Sequence, residues 1–411
     1  MNYKINKVQF VAMWFGCSGL STVANAAFVD DAQYTLQMRN FYINGDYRSR
    51  GVAQSKKEEW AQGFLFTAQS GWTEGAVGFA LEANASLGVK LDTGRSRSNT
   101  GLLPNVFGNT GPGEYSQLSG IAKVRYAGTQ LQAGELRPQL PILTSSDLRL
   151  LPQTFSGYML VVKDFEPVTL QLGHFSGTSY RASTNANEKL HIYTSTAQSD
   201  DFRYAAVQYK VSPSLQLEVW HDELENIYSQ EFYNVIAQTS FKGWQWGASL
   251  GWFNNRDAGS QRAGNIDNQL ATHMFSASSQ GHTFRLGYQE SRGATDFPQI
   301  VQTDVAMANG VMVLGFNRAH EQSWQARYDL DFAAYGVPGL RMFARYLHGD
   351  GFRVNGRNGK EWERNLDLSY TVQSGPLRSL TVRWRHASVR SDAVVGLDEH
   401  RLIIQYTYSF K

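Results

Sequence analysis

Arg383 and Arg385 flank Trp384, so two guanidinium groups stand two residues apart. On an extended segment that spacing places both on one face, where like charges repel. Such a face gains from carboxylates opposite it or from anions passing over it. Arginine suits the second task, because its planar fork binds a carboxylate bidentately and keeps its charge. The same parity on other segments brings Arg39, Lys123, Arg125, Arg285, Arg327, Arg341, Arg345 and Arg401 to the polar side, with Glu82, Glu218, Asp329, Asp331 and Asp367 elsewhere on it. The set reads as a wall that guides anions; the alternative is a solvated wall whose charges neutralise one another.

Other chemistry finds less support. Gly247-Ala248-Ser249-Leu250-Gly251 matches the G-x-S-x-G pattern, but a nucleophilic serine needs a strained strand-to-helix turn and partners. Here Trp244, Trp246, Leu250 and Trp252 place Ser249 in the middle of a strand, which disfavours a hydrolase. The nine histidines show no metal-ligand spacing such as H-E-x-x-H. No cofactor is expected. With 38 basic residues, two of them in a leader, 36 remain against 36 acidic ones, so no global field points to nucleic acid.

The elements that position the arginines are alternating strands. Leu402, Ile404, Tyr406, Tyr408 and Phe410 lie on one side of the last segment and Arg401, Gln405, Thr407 and Ser409 on the other, with Ile403 the lapse. A period of two with an aromatic-ended apolar face suits a barrel strand, wet inside and facing lipid outside. The pattern recurs at Leu36 and Met38, at Phe64 and Phe66, at Val168, Leu170 and Leu172, at Leu215, Leu217 and Val219, at Phe284, Leu286 and Tyr288, and at Leu340, Met342, Ala344 and Tyr346. No run approaches the roughly 18 apolar residues of a transmembrane helix.

Lys4 and Lys7, an apolar stretch from Val8 to Gly16, and Ala24-Asn25-Ala26 make residues 1–26 a signal peptide, leaving 27–411 as a single barrel domain. Cys17, the only cysteine, lies within that leader; Trp14 sits where a lipoprotein site wants a small aliphatic residue. Connections come in two lengths. Short ones at Ala127-Gly128, Asp164 to Pro167, Ser212 to Ser214, Lys242-Gly243, Gln280-Gly281, Gly336 to Gly339 and Gly375-Pro376 suit periplasmic turns. Long polar ones, at 92–116, 137–155, 177–200, 254–267, 291–310, 348–360 and 390–399, suit the outside, where they crown the barrel or fold into it. The fold class is all-β: a transmembrane antiparallel barrel of about 18 strands, with 16 as the alternative.

At the level of motifs the chain resembles the OprD family of outer-membrane carboxylate channels. The resemblance rests on Glu59-Trp60-Ala61-Gln62-Gly63-Phe64, Ser70-Gly71-Trp72-Thr73-Glu74-Gly75, Thr100-Gly101-Leu102-Leu103-Pro104 and Leu148-Arg149-Leu150-Leu151-Pro152-Gln153-Thr154-Phe155. Gly281-His282-Thr283-Phe284, Asp329-Leu330-Asp331-Phe332-Ala333-Ala334-Tyr335-Gly336, Glu361-Trp362-Glu363-Arg364 and Val372-Gln373-Ser374-Gly375-Pro376-Leu377 extend it over nearly the whole mature chain. It implies a monomeric, substrate-specific porin of 18 strands in the outer membrane of a Gram-negative bacterium, among outer-membrane lipid and lipopolysaccharide, passing small carboxylate-bearing solutes such as amino acids and aromatic or other organic acids.

The family's ladder of inward cations leads to a constriction of inward-folded loops. Matching positions for the ladder are Arg39, Lys123, Arg125, Arg383 and Arg385, with Arg327 and Arg345 as additions. For the constriction they are Arg137, Asp147, Arg149, Gln153, Phe155 and Tyr180, with Asp296 and Asp304 to receive the other end of a solute. A porin for sugars or chitooligosaccharides is the rival, since ten tryptophans could line a greasy slide. Trp244, Trp246, Trp252, Trp324 and Trp384 fall on the lipid-facing parity instead. Two features depart from the pattern: Lys411 follows the terminal aromatic, and inward parity is ambiguous from Met159 to Asp164.

Overall fold

Residues 28–48, 52, 54–94, 96–105 and 111–411 are described by a computed structural model. The expected leader, 1–26, and Cys17 lie outside the described residues.

Twenty strands follow in order. The first five are β1 (Gln33–Tyr47), β2 (Lys56–Gln69), β3 (Val77–Thr93), β4 (Glu114–Tyr126) and β5 (Thr129–Leu136). Two short strands, β6 (Gln139–Leu140) and β7 (Leu143–Thr144), pair only with each other. The wall resumes with β8 (Thr154–Phe165), β9 (Val168–Ser179), β10 (Phe202–Ser212), β11 (Leu215–Leu224), β12 (Tyr228–Phe241), β13 (Trp244–Asp257) and β14 (Asp267–Ser279). It ends with β15 (His282–Arg292), β16 (Gln322–Asp331), β17 (Leu340–Val354), β18 (Arg357–Thr371), β19 (Thr381–Ser391) and β20 (Leu397–Phe410). Each wall strand pairs antiparallel with its neighbours in sequence, and β20 returns to β1 from Tyr34↔Phe410 to Tyr47↔Leu397. The result is a closed barrel of 18 strands, which leaves no sheet edge in the bilayer.

Alternation assigns the faces as expected. Leu402, Ile404, Tyr408 and Phe410 are exposed outward, as are Trp246, Trp252, Trp324 and Trp384, while Arg401 points inward. Tyr34, Phe66 and Phe410 stack across the seam at its periplasmic end. The expected short turns all lie at that end. Among the long connections, 348–360 is a correction: β17 and β18 continue upward and meet at Asn355-Gly356, both with positive φ. Asn-Gly is the two-residue hairpin signal, and it was present in the sequence. The connection begun at 291–310 instead runs on to Glu321. On β8, register shifts at Ser156/Gly157 and Val162/Phe165 reset the alternation, which accounts for its ambiguous parity.

The upper lumen is filled rather than open. Inward Phe155, Phe175, Phe202, Trp220, Phe232 and Phe253 pack under Leu140, Ile142, Leu143, Leu190, Ile192, Phe297 and Ile300 of the connections. A second cluster joins Phe41, Ile43, Ala61 and Leu65 of the wall to Leu102, Leu103, Leu150 and Leu151, and Ile403 packs against it. The lapse in the last strand is therefore a place where a folded-in loop covers the wall. Burial of these side chains drives the loops inward. Backbone pairs then knit them together: Thr144↔Asp304 and Ile192↔Ile300 bridge the 137–153, 180–201 and 293–321 connections, and Ala306 N donates to Pro141 O at 2.7 Å.

Candidate functional site

Three arginines on adjacent strands are direct cross-strand partners: Arg285 of β15 with Arg327 of β16, and Arg327 with Arg345 of β17, which itself faces Asn365 of β18. A second row runs from Asp367 to Arg385 of β19 and Arg401 of β20. Neighbouring strands are about 4.8 Å apart, so successive guanidinium groups come at short intervals around the wall. Barrel strands tilt, so a row of cross-strand partners is oblique to the pore axis and each step around the wall is also a step along it.

Like charges directly opposed across strands are costly. The wall relieves part of that cost. Asp329 ion-pairs with both Arg285 and Arg327, and the Phe343 ring lies 4.1 Å from the Arg327 guanidinium and 5.5 Å from that of Arg345. Arg345 Nε donates to Asn365 at 2.6 Å. Asp367 is shared by Arg383 at 2.8 Å and Arg385 at 2.9 Å, and Glu399 accepts from Arg401 Nε at 2.6 Å. Five guanidinium groups thus ion-pair with three carboxylates, Asp329, Asp367 and Glu399; with Arg345, which bonds only the neutral Asn365 amide among the described residues, 6 − 3 leaves three positive charges.

The other expected ladder positions behave differently. Lys123 is paired with Glu82 at 2.7 Å, and Arg125 lies at the periplasmic mouth with its guanidinium 4.4 Å from the Trp72 ring. Arg39 departs from the expectation of a rung. It is 5% accessible, donates to both oxygens of Asp147 at 2.7 and 2.8 Å and to Arg149 O at 2.7 Å, and bonds Gln405 and Gln37 besides. Its charge is committed to holding the 137–153 connection against the wall.

In the constriction, Arg137 is exposed to the lumen and makes no hydrogen bond or ion pair among the described residues. Asp147 is exposed while held by Arg39. Arg149, Asp296 and Asp304 line one cavity of about 670 Å³, together with Arg181, Arg401 and Glu399. Arg149 Nε donates to Thr100 O at 3.2 Å, and Arg181 donates to Gln302 Oε1 at 3.1 Å and to Ser146 Oγ at 2.9 Å. Burial, then repulsion from Arg401, lowers the Arg149 pKa, and burial lowers that of Arg181. Both remain cations at neutral pH, since a guanidinium is too strong a base to do otherwise. Across the cavity, enclosure by the walls holds the Asp304 carboxyl above the ordinary carboxylate range, with Arg181 opposing. Asp296 accepts from Ala319 N at 2.8 Å.

Three expected constriction residues are corrected to supports. Phe155 is fully buried in the larger apolar cluster. Gln153, equally sealed, donates to Thr178 Oγ1 and Val301 O, tying β9 to the 293–321 connection. Tyr180 is buried, with its hydroxyl at 3.2 Å from Lys189 O and 2.9 Å from His191 Nδ1. None of the three presents its side chain to the cavity. Sequence reasoning missed Arg181, which follows β9 in a connection where strand parity offers no guide. It also missed a set of inward carboxylates that hold loop backbone: Glu59 accepts from Asn99 N and Thr100 N, and Glu363 accepts from Val313 N and Leu314 N. Glu363 has the parity of Asp367, read as inward, and Glu59 the parity opposite to Phe64 and Phe66, read as outward, so the alternation carried the signal.

Residues 26–410 match the family model described as outer membrane porin, OprD family. The porin-like protein GalP of Pseudomonas putida is 36% identical over 387 residues, covering 93% of each chain. The crystal structure of Pseudomonas aeruginosa OccK9 (OpdG) superposes with a TM-score of 0.91 at 40% identity, over 93% of this chain and all of that one. Pseudomonas aeruginosa OpdK with vanillate gives a TM-score of 0.88 at 39% identity, again over 93% of this chain and all of that one.

Proposed function

The chain belongs to the OprD family of outer-membrane porins, and we propose that it admits small carboxylate-bearing solutes by passive diffusion along its inner rows of arginines. The observation that carries this reading is the cross-strand alignment of Arg285, Arg327 and Arg345, with a second row of Arg385 and Arg401 beside it and fewer carboxylates than cations. A wall that only needed solubility would not align like charges at the closest cross-strand positions.

A carboxylate entering from outside meets Arg149 and Arg181 in the cavity above the constriction, with Arg137 and Asp147 at the narrowing. It then exchanges one guanidinium for the next. Neighbouring rungs are close enough that leaving one coincides with reaching another, so no single site becomes a trap. Every rung but Arg345, which bonds the Asn365 amide, already holds part of a carboxylate of the protein, which keeps its grip on a passing anion weak. Asp296 and Asp304 stand where the far end of a zwitterionic or hydroxylated solute would be tested. OpdK, a relative of similar fold, has been crystallised with the aromatic carboxylate vanillate, and this supports the class of solute.

The sugar reading would need aromatic rings on the inner wall. Trp246, Trp252, Trp324 and Trp384 are exposed to lipid, and Trp220, which does face inward, is sealed beneath the loops. Planar-bilayer currents with a panel of aromatic, aliphatic and amino acids test the proposal. Removing Arg383 and Arg385 together is expected to lower carboxylate current; unchanged transport would exclude the track.

A further inference from the structure

Glu321 ends the 293–321 connection one residue before β16 and turns its side chain into the wall. It is 0% accessible, and Glu361 of β18, its neighbour, is 1% accessible. Glu321 Oε2 accepts from Arg318 N at 3.1 Å, and Glu361 Oε2 accepts from Ser391 Oγ of β19 at 2.6 Å. Arg318 Nε lies 3.5 Å from Glu361 Oε2, while Glu321 Oε1 is buried with no partner among the described residues. That oxygen fills the space a side chain at Gly349 of β17 would take, since a Cβ there would stand 2.3 Å from it.

Two buried carboxyl groups therefore meet one guanidinium, that of Arg318, whose side chain also reaches the cavity. Among the described residues no second cation pairs with either carboxyl group. β17 places Gly349 beside the pair and the Phe352 ring 5.6 Å from the Arg318 guanidinium, and β19 contributes Ser391. Glu363, next inward on β18, has its oxygens taken by Val313 N, Leu314 N and the Asn365 amide, with Arg345 beyond it. His348, Asp350 and Lys360 alternate outward from this point, and His320 and Asp392 belong to the exposed rim. Two adjacent buried carboxylates cannot both ionise cheaply.

We propose that Glu321 and Glu361 share one proton and form a clamp on the end of the 293–321 connection, released when alkaline solution removes that proton. The same connection carries Asp296, Asp304 and Val311 to Leu314 of the cavity wall, so release of its end alters the constriction. Burial, reinforced by the Glu361 charge, pushes the Glu321 carboxyl well above the carboxylate range. The sign follows: the proton is held at neutral pH and lost only as pH rises through the folded value, where two negative charges would face Arg318 alone.

Infrared difference spectroscopy of the purified barrel in detergent reads the proton directly, through the carbonyl stretch of a protonated carboxylic acid. A part of this band that Glu321→Gln removes is expected near pH 7 and not near about pH 10, above what other buried carboxyls such as Asp222 give. Single-channel recordings over the same range are expected to show current fluctuations that rise in the wild type and stay flat in Glu321→Gln. The absence of a protonated-acid band near neutral pH would overturn the proposal. So would its undiminished persistence in both Glu321→Gln and Glu361→Gln, or a pH response unchanged in Glu321→Gln. Should Glu321→Gln fail to fold, Glu361→Gln carries the same expectations.

Discussion

Asp367 lies between Arg383 and Arg385, and this sharing makes the sign of the ladder testable by charge arithmetic. The wild-type trio carries 2 − 1 = +1. Arg385→Gln leaves Arg383 paired with Asp367 and the trio neutral. Asp367→Asn leaves two guanidinium groups without their carboxylate and raises the surplus by one. The double variant Arg385→Gln/Asp367→Asn keeps Arg383 alone and restores the wild-type charge.

The size of the effect follows from distance and dielectric. A unit charge about 5 Å from a passing carboxylate contributes about 0.8 kcal/mol in water and about 3 kcal/mol at the effective dielectric of a protein surface. Salt screens over about 10 Å at 0.1 M, and the lumen is wet, so the lower figure is the better guide. Each unit of charge should then change carboxylate permeability by about fourfold, and the anion-to-cation ratio by at least that, since the same charge acts oppositely on the cation. Reversal potentials across planar bilayers, measured with a gradient of a sodium carboxylate salt, give that ratio. The expected order is Asp367→Asn above wild type, the double variant close to wild type, and Arg385→Gln below. A shift of the same sign in both single variants would refute the reasoning, because lost packing moves both alike whereas charge moves them apart.

Arg39→Met should free the 137–153 connection, raising single-channel conductance and current noise. Asp147→Asn should do the same to a smaller degree, and the double variant should add little to Arg39→Met, since both remove one contact. A rung at Arg39 would instead lower anion selectivity at constant conductance. Asp304, with its pKa raised, gains its proton as pH falls over an interval above that of an ordinary carboxylate, removing a negative charge from the cavity. Anion selectivity measured by reversal potential should therefore rise over that interval in the wild type and stay flat in Asp304→Asn.

Strand positions, their inward and outward faces, the periplasmic turns and the outer-membrane setting were all legible in the chain. They are local properties: a period of two and a turn residue act over a few positions, and every strand repeats them. Parity even exposed its own exceptions, since Ile403 broke the pattern where a loop covers the wall and β8 broke it where the strand bulges. The Asn355-Gly356 hairpin was equally local and was passed over in favour of loop composition.

Parity says which side of the sheet a residue takes, but not what comes to lie against it. Arg39, Arg385 and Glu363 share the inward face, yet one latches a loop, one stands in a row of cations and one holds loop backbone. Gln153, Phe155 and Tyr180 fell in the right loop region and were sealed by packing between connections far apart in sequence. Arg181 reaches the cavity from a segment without periodicity. The sequence by itself determined a barrel with a cationic inner wall. Only the tertiary structure decided which cations are matched by a carboxylate and which are not, because that depends on carboxylates and loops brought in from distant parts of the chain.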